Sequence, residues 1–427
     1  MAKRVLILSG KDPSHSGNLG QNLIDSLKWK GYEVSFDFPD TLDYLKKVNR
    51  IKNSFWGRTI TKGIIETNRL FRTSIFGLNN YYSKKGYVFF HANEDKPPYD
   101  YNKIIEYAKG KFDLIITLFP NDLFNIKSLG EISKKTGIPI FICPPDMYPM
   151  TGGCIYFDRC DGYKRDCEYC PVFKEKRYSQ ANKNYLIKKE VYQRYDITML
   201  LNTWMKNAFI KSNLFRNNQL QKIPFVLDEN LYRPLNRISC RSEIGIPNRK
   251  IVFLIRHTSQ KRKGNNIAYN ALKKLYDSLE KESKKDIMLL TIGEIMTEQM
   301  PFETKNLGFV NLDPLIKAYN SADAFLCPSV DDAGPSMINQ SIACGTPVVS
   351  FNSGTAIDVI ENGISGFKTD NISEEGFFFC LKQMYDAIAQ KKETLRKTSR
   401  EMSLKNNSLK VFATTIDGII KNKLINN

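Results

Sequence analysis

PSVDDAGPSMINQSIACGTPVVSF, residues 328–351, decides the fold. It opens at the end of the apolar strand ADAFLCPS (322–329), crosses a short loop with two acids, Gly334 and Pro335, and enters a helix predicted over Ser336–Ala343. Cys344-Gly345-Thr346-Pro347 stops that helix, and VVSF (348–351) is a second strand. Strand, loop, helix, glycine stop and strand make a βαβ unit. Its loop falls where open α/β sheets take ligands, outside the carboxyl ends of the strands. Backbone N–H groups at the start of such a helix favour an anion.

The same alternation runs outward in both directions. RVLILSG (4–10) reads as a buried strand, followed by a loop rich in Ser, His and Gly (Lys11–Gly20). QNLIDSLKWKGYEVSF (21–36) gives a helix, a stop at Gly31 and a strand. FDLIITLF (112–119), a helix over Leu123–Lys135, and IPIFICP (138–144) continue the series. DITMLLNTWMKNAFIK (196–211) is a strand and a helix, and KIPFVLDENLYRPL (222–235) is extended and bounded by prolines. A second series starts at KIVFLI (250–255), with a basic loop, a helix over 265–279 and the strand IMLLTIG (287–293). VIENGISGFKTD (359–370) reads as a turn-rich hairpin, and the remaining residues as helical. Strands alternating with helices imply parallel sheets covered on both faces.

The chain has 427 residues, 42% hydrophobic and 25% charged, a composition that points to two ordered α/β domains. Apolar runs such as IVFLI (251–255) fall well short of the roughly 18 residues a spanning helix needs. MAKRVLILSG reads as a first strand and not a signal peptide, so a cytoplasmic protein is expected.

The net charge of +18 favours anionic partners. Lys46–Lys85 holds ten Lys/Arg and the single acid Glu66, interleaved with Phe55, Trp56, Phe71, Phe76, Tyr81 and Tyr82. Two readings stand: a solvated helix pair with its aromatics packed inward, or a patch for an anionic membrane surface. Nucleic acid is set aside, because no recognised module accompanies the patch.

The ordered motifs resemble glycosyltransferase family 4, retaining nucleotide-sugar enzymes of the GT-B fold. IPFVLDENLYRP (223–234), RKG (262–264), TIGE (291–294), NLGFV (306–310), AYNSADAFLCPS (318–329), QSIACGTPVVSF (340–351) and GTAIDVIENGISGF (354–367) follow in that family's order. CPPDMYPMTGGCIYFDRC (143–160) resembles a surface-polysaccharide subgroup whose members carry His-Asp-Met-Trp and then Thr-Gly-Gly-Cys. The resemblance implies two Rossmann-like doubly wound domains facing each other across a cleft. The first, acceptor-binding, spans 1–234; the second, nucleotide-sugar-binding, spans 235–404; a final helix at about 405–427 packs back on the first.

The resemblance also assigns residues. Lys263 and one of Arg256 and Arg262 neutralise the leaving diphosphate, a role that suits cations at a strand end before a helix. A solvated basic turn is the plainer alternative. The family's two glutamates, one for sugar hydroxyls and one for ribose, correspond to Asp332 and Gln340. Aspartate has a shorter reach, and Gln bonds hydroxyls without charge assistance. Gly334, Pro335, Ser336 and Met337 line the donor, Gly293 belongs to the TIGE turn, and Gly17 in Ser14–Gly20 approaches the donor phosphate. Pro145 stands where relatives have a histidine, leaving Asp146 to orient the acceptor.

Cys154, Cys160, Cys167 and Cys170 form C-x5-C-x6-C-x2-C, within 17 residues. Four thiolates with a terminal CxxC read as a structural zinc site bracing the Arg159–Arg165 loop; four free thiols in a Tyr-rich, acceptor-side loop are the alternative. Cys143, Cys327, Cys344 and Cys380 read as inert core residues, and no catalytic metal is expected.

The implied function is transfer of a sugar from a UDP- or GDP-linked donor to a glycan acceptor, polyprenyl-linked, in capsule, O-antigen or exopolysaccharide synthesis, on the inner face of the cytoplasmic membrane. One alternative is a nucleotide-sugar epimerase, disfavoured by a chain with three histidines. The other is a GT-B binder or scaffold that has lost its chemistry, for which Pro145 and Gln340 speak.

Overall fold

Val252, Phe253, Leu254 and Ile255 are all fully buried, yet they face two different cores. Val252 and Leu254 join Met288, Phe325 and Val348 on one side, while Phe253 and Ile255 join Leu289, Leu326 and Val349 on the other. Strand side chains alternate sides, so a continuous apolar run means a sheet covered on both faces. A computed structural model of the chain shows that arrangement twice. It describes residues 3–9, 15–36, 82–84, 87–89, 93–96, 100–118, 124–157, 160–171 and 178–425.

The chain divides into two compact units. The first comprises Met1–His15, Leu27–Leu201 and Lys206–Gln221; the second comprises Ser16–Ser26, Asn202–Met205 and Lys222–Asn427. The strands, in chain order, are β1 (Arg4–Ser9), β2 (Glu33–Ser35), β3 (Tyr82–Lys84), β4 (Tyr87–Phe89), β5 (Leu114–Leu118), β6 (Ile140–Cys143), β7 (Cys154–Tyr156), β8 (Ile197–Leu201) and β9 (Leu220–Lys222). After them come β10 (Ile251–His257), β11 (Ile287–Gly293), β12 (Glu303–Asn306), β13 (Ala324–Cys327), β14 (Val348–Phe351) and β15 (Gly366–Thr369).

The first sheet has the order β2-β1-β5-β6-β8-β9, and its pairs from β2 to β8 are parallel. A small sheet, β3-β4-β7, is antiparallel. The second large sheet is parallel throughout, in the order β12-β11-β10-β13-β14-β15. Counted from its own first strand this is 3-2-1-4-5-6, the doubly wound order whose switch point lies between strands one and four. Here those strands are β10 and β13, paired with Ile255 opposite Leu326. The loops that leave their carboxyl ends are therefore neighbours.

Helices Leu312–Ser321 and Ser336–Ala343 cover one face, and Asn265–Asp277 and Glu374–Asn407 the other. The long helix is broken at Lys391 by non-helical angles. A last helix, Leu409–Ile425, lies in the second unit and buries Phe412, Ala413, Ile416 and Ile420. Among the described residues no helix is long and apolar enough to cross a membrane.

Two local readings are corrected. The segment 359–370 is not a hairpin: Gly366–Thr369 pairs parallel with β14, because that places Phe367 in the core shared with Phe377 and Leu381. The loop read through Gly20 ends earlier, since a helix runs from His15 to Trp29 and takes Gly17 into its first turn. Ser14 and nearly all of the basic aromatic stretch Lys46–Lys85 lie outside the described residues.

Candidate functional site

The basic loop after β10 and the acidic loop after β13 meet at the switch point. Lys261–Lys263 forms a single 3-10 turn that ends at Gly264. The N–H of Val330 donates to the carbonyl of Arg262 at 2.9 Å, pinning one loop to the other. Gly264 has φ +66°, and a Cβ there would lie 2.1 Å from the Pro328 carbonyl oxygen, so only glycine fits.

Asp332 is the acid this arrangement brings to the cations. Its carboxylate bonds the Lys263 ammonium and lies 3.6 Å from Arg262 Nη1. The same guanidinium donates to the Asp331 carbonyl at 3.2 Å. Asp332 Oδ1 also accepts from the Gly334 N–H at 3.3 Å, which tucks the loop under the next helix. Asp332 is buried, and Arg262 and Lys263 are half-buried. The cations are thus held at a strand end without the chain closing over them.

Of the two candidate arginines, Arg262 is in this group and Arg256 is not. Arg256 is exposed on β10 and forms no ion pair among the described residues. Gly334, Pro335, Ser336 and Met337 follow directly, all partly exposed. The helix they enter has no side chain capping its N-terminus. Its first N–H groups and two nearby cations form an anion-favouring corner.

Gln340 sits one turn deeper and is buried. Its Oε1 accepts from the Tyr319 hydroxyl at 2.9 Å, and its Nε2 donates to the Tyr232 hydroxyl at 3.1 Å. The amide is therefore clamped by two buried phenols, partners its own neighbourhood in the sequence does not show. Gly293 ends β11 with φ +100°, where a Cβ would lie 2.6 Å from the His257 carbonyl oxygen. The next residue, Glu294, accepts from the Ser259 N–H at 2.7 Å and from the Thr258 hydroxyl at 2.9 Å. Those bonds, the backbone one foremost, hold the Glu294 carboxyl below its usual range. Glu294 thereby ties the chain just ahead of the basic loop. Its place in TIGE was the signal for it.

The first unit holds the rest. Asp146 is buried, and its Oδ1 accepts from the Tyr148 N–H at 2.9 Å. Pro145 beside it is partly exposed. Beneath them lies a cluster that sequence reasoning missed. The Tyr148 hydroxyl donates to Glu94, and Lys188 Nζ donates to the carbonyls of Tyr148 at 2.6 Å and Thr151 at 2.9 Å. Glu94 Oε2 accepts the N–H groups of Ile126 at 2.8 Å and Lys127 at 3.3 Å, at the start of the helix Ile126–Thr136. Burial pushes the Lys188 ammonium down and the Tyr148 phenol up.

The four clustered cysteines line one pocket with Phe157 and Tyr163. No disulfide joins them. Among the described residues no three His, Cys, Asp or Glu side chains already stand in metal-binding geometry. Cys327, Cys344 and Cys380 are buried, and burial pushes their thiols up to about 11, 12 and 11.

A parallel sheet of this order is a doubly wound α/β domain, the class whose ligand crevice lies at the switch point, here beside a cationic, uncapped helix start. Residues 236–378, which contain that corner, match the family described as Glycosyl transferases group 1. A stretch of 60 residues is 40% identical to an uncharacterized glycosyltransferase of Methanocaldococcus jannaschii, covering 14% of this chain and only 15% of that relative. In fold the chain is similar to HepE of Anabaena in complex with UDP, with a TM-score of 0.60 at 15% identity over 99% of this chain and 100% of that one. It is also similar to sucrose-phosphate synthase from Thermosynechococcus elongatus, with a TM-score of 0.61 at 13% identity over 100% of both chains. A glycosyltransferase from Rickettsia africae gives 0.61 at 15% identity, over 100% of this chain and 99% of that one. The fold is α/β GT-B, and the glycosyltransferase group 1 match lies within the second unit.

Proposed function

We propose that the protein is a retaining glycosyltransferase that moves a sugar from a nucleoside-diphosphate donor to a glycan acceptor. The observation that carries this reading is the meeting of Lys263 and Arg262 with Asp332 beside the uncapped start of Ser336–Ala343. A diphosphate leaving group needs its charge neutralised as the glycosidic bond breaks, and this corner offers two cations and backbone donors. UDP is the first donor to try, because the HepE structures hold UDP and UDP-glucose; GDP is the second.

In this reading Asp332 accepts from donor-sugar hydroxyls, and Gly293, Gly334, Pro335, Ser336 and Met337 shape the donor pocket. The amide of Gln340 bonds the ribose while its two tyrosines hold it in place. Arg256, exposed nearby on β10, supplements the cations. Gly17 contributes backbone to the donor phosphate. The anomeric carbon–oxygen bond to phosphate breaks, the acceptor hydroxyl oxygen bonds to that carbon, and its proton passes to the leaving phosphate oxygen on the same face. No histidine is then needed at Pro145. Acceptor binding falls to the first unit, where Asp146 accepts from an acceptor hydroxyl. A polyprenyl-linked glycan at the inner membrane face, met through Lys46–Lys85, fits the charge of that stretch.

The test is a panel of UDP-, GDP-, ADP- and CMP-sugars with lipid extract as acceptor, reading nucleotide release. Release with one donor, lost in Lys263→Ala, is the expected result. Nucleotide binding without turnover under any condition would favour the scaffold reading, which Pro145 motivates. Undiminished nucleotide binding by Lys263→Ala would overturn the site.

A further inference from the structure

We propose that Cys154, Cys160, Cys167 and Cys170 hold one zinc ion, which fixes the loop that follows the Asp146 segment. The four side chains line one pocket in the first unit, although 17 residues of chain carry them. Among its described residues that stretch has little regular structure: β7 supplies three residues and a 3-10 turn at Gly162–Lys164 another three. Segments this poor in secondary structure seldom hold a fixed shape without a cross-link. No disulfide joins the four.

Two backbone N–H groups point at the sulfurs, as donors do at metal-bound thiolates. The Gly152 N–H points at Cys167 Sγ at 3.2 Å, and the Gly162 N–H at Cys160 Sγ at 3.4 Å. A neutral thiol sulfur is a weak acceptor, whereas a metal-bound thiolate carries charge that such donors stabilise. Cys167 adopts φ +58°, a left-handed conformation that costs a non-glycine residue about 1–2 kcal/mol. The Cys167 N–H donates to the Gly162 carbonyl at 3.0 Å in this turn, and a sulfur aimed at a shared centre adds a further reason to hold the angle. Phe157 and Tyr163, 4.8 Å apart between ring centroids, shield the pocket's flank.

The sulfurs do not yet have ligand geometry. Zinc–sulfur bonds of about 2.3 Å would require them to draw together around one point. Such a site contributes directly to folding, because the loop rarely holds its closed form without the ion. Its consequence is positional. Gly152, whose N–H meets Cys167, also gives its carbonyl to Asn184 at 3.0 Å, and Thr151 gives its carbonyl to Lys188 at 2.9 Å. The ion would thus lock the far end of the segment that begins at Asp146. Arg159 lies outside the described residues.

The experiment uses the full chain purified without chelator. Elemental analysis should give one zinc per chain. A chelator with a thiol reagent should release that zinc together with four newly reactive thiols. Cobalt substitution should give intense thiolate-to-metal charge-transfer bands. Cys160→Ser and Cys170→Ser should each lose the zinc, while Cys240→Ser, outside the cluster, keeps it. Wild-type protein with no bound metal and four promptly reactive thiols overturns the proposal, as does iron with visible iron–sulfur absorption. These readouts need no nucleotide sugar, so they stand or fall apart from the glycosyltransferase reading.

Discussion

Lys188 Nζ lies 3.5 Å from Glu94 Oε1, and neither side chain is exposed to solvent. The ammonium also sits 3.5 Å from the centroid of the Tyr148 ring. Removing one partner of a buried pair leaves the other charge uncompensated, at a cost of about 3–5 kcal/mol, whereas replacing both with apolar groups is often close to neutral. Lys188→Met should therefore destabilise the first unit by that amount in chemical denaturation. Adding Glu94→Gln should recover part of the loss. Equal stability of the single variant and the native chain would show the pair to be inert.

On the proposed reading, Asp332 and a donor diphosphate compete for the Lys263 ammonium. With Lys263 bonded to the Asp332 carboxylate, an incoming phosphate must displace that contact. Asp332→Asn keeps the shape and removes the competitor. A bare nucleoside diphosphate should then bind more tightly, by about tenfold or ~1.4 kcal/mol at most. Sugar transfer should fall, since an amide holds a hydroxyl less strongly than a carboxylate. Calorimetry with the diphosphate and turnover with the nucleotide sugar read the two effects separately. Weaker diphosphate binding in the variant would mean that Asp332 orients Lys263 instead of competing for it.

Gln340 bonds Tyr319 through its oxygen and Tyr232 through its nitrogen. Gln340→Leu strands both buried hydroxyls and should cost about 1–3 kcal/mol for each group left unsatisfied. Gln340→Glu is the instructive contrast. Both phenols can turn to donate to a carboxylate, so this variant should melt close to the native chain near neutral pH. It should also bind nucleotide more tightly if this side chain meets the ribose. A thermal-shift series with and without UDP reads both outcomes. A Gln340→Glu variant as unstable as Gln340→Leu would show that the pocket does not accept charge.

How far the sequence could be read follows from these same residues. The βαβ unit at 328–351 was legible because period-two apolar runs and glycine stops are local signals. Lys263 and Asp332 are 69 positions apart, but each lies at a strand end, and the sheet order joins them. Glu94 and Lys188 have no such frame. They meet between a loop and a helix, 94 positions apart, and the one clue was Lys188 in a stripe with Tyr185 and Tyr192, both buried. Asn362-Gly363 looked like a hairpin turn because that dipeptide favours one. The need to bury Phe367 outweighed it.

Glu294 should give the loop after β10 a pH dependence. Its carboxyl is held below the usual carboxylate range, chiefly by the Ser259 N–H. A carboxyl depressed in the folded state contributes stability above its unfolded pKa and loses it as pH falls through the folded value. Nucleotide affinity should thus weaken in the acid range below the unfolded carboxyl pKa as the Thr258–Ser259 tether loosens. Glu294→Gln should remove that part of the acid dependence while starting from weaker binding. Parallel acid limbs in the two proteins would assign the effect to other groups.

Gly264 tests whether the two loops must touch. A Cβ at this position would collide with the Pro328 carbonyl and adopt a left-handed angle. Gly308 has a similar φ of +65°, but a Cβ there meets nothing within 4 Å. Both alanine variants carry the left-handed strain of about 1–2 kcal/mol. Only Gly264→Ala also pushes the basic turn away from the strand end that carries Asp332. Both should therefore lower the melting temperature, Gly264→Ala by more. Gly264→Ala alone should weaken nucleotide binding, by tenfold or more. Equal binding by the two variants would place the nucleotide away from the Lys263–Asp332 corner.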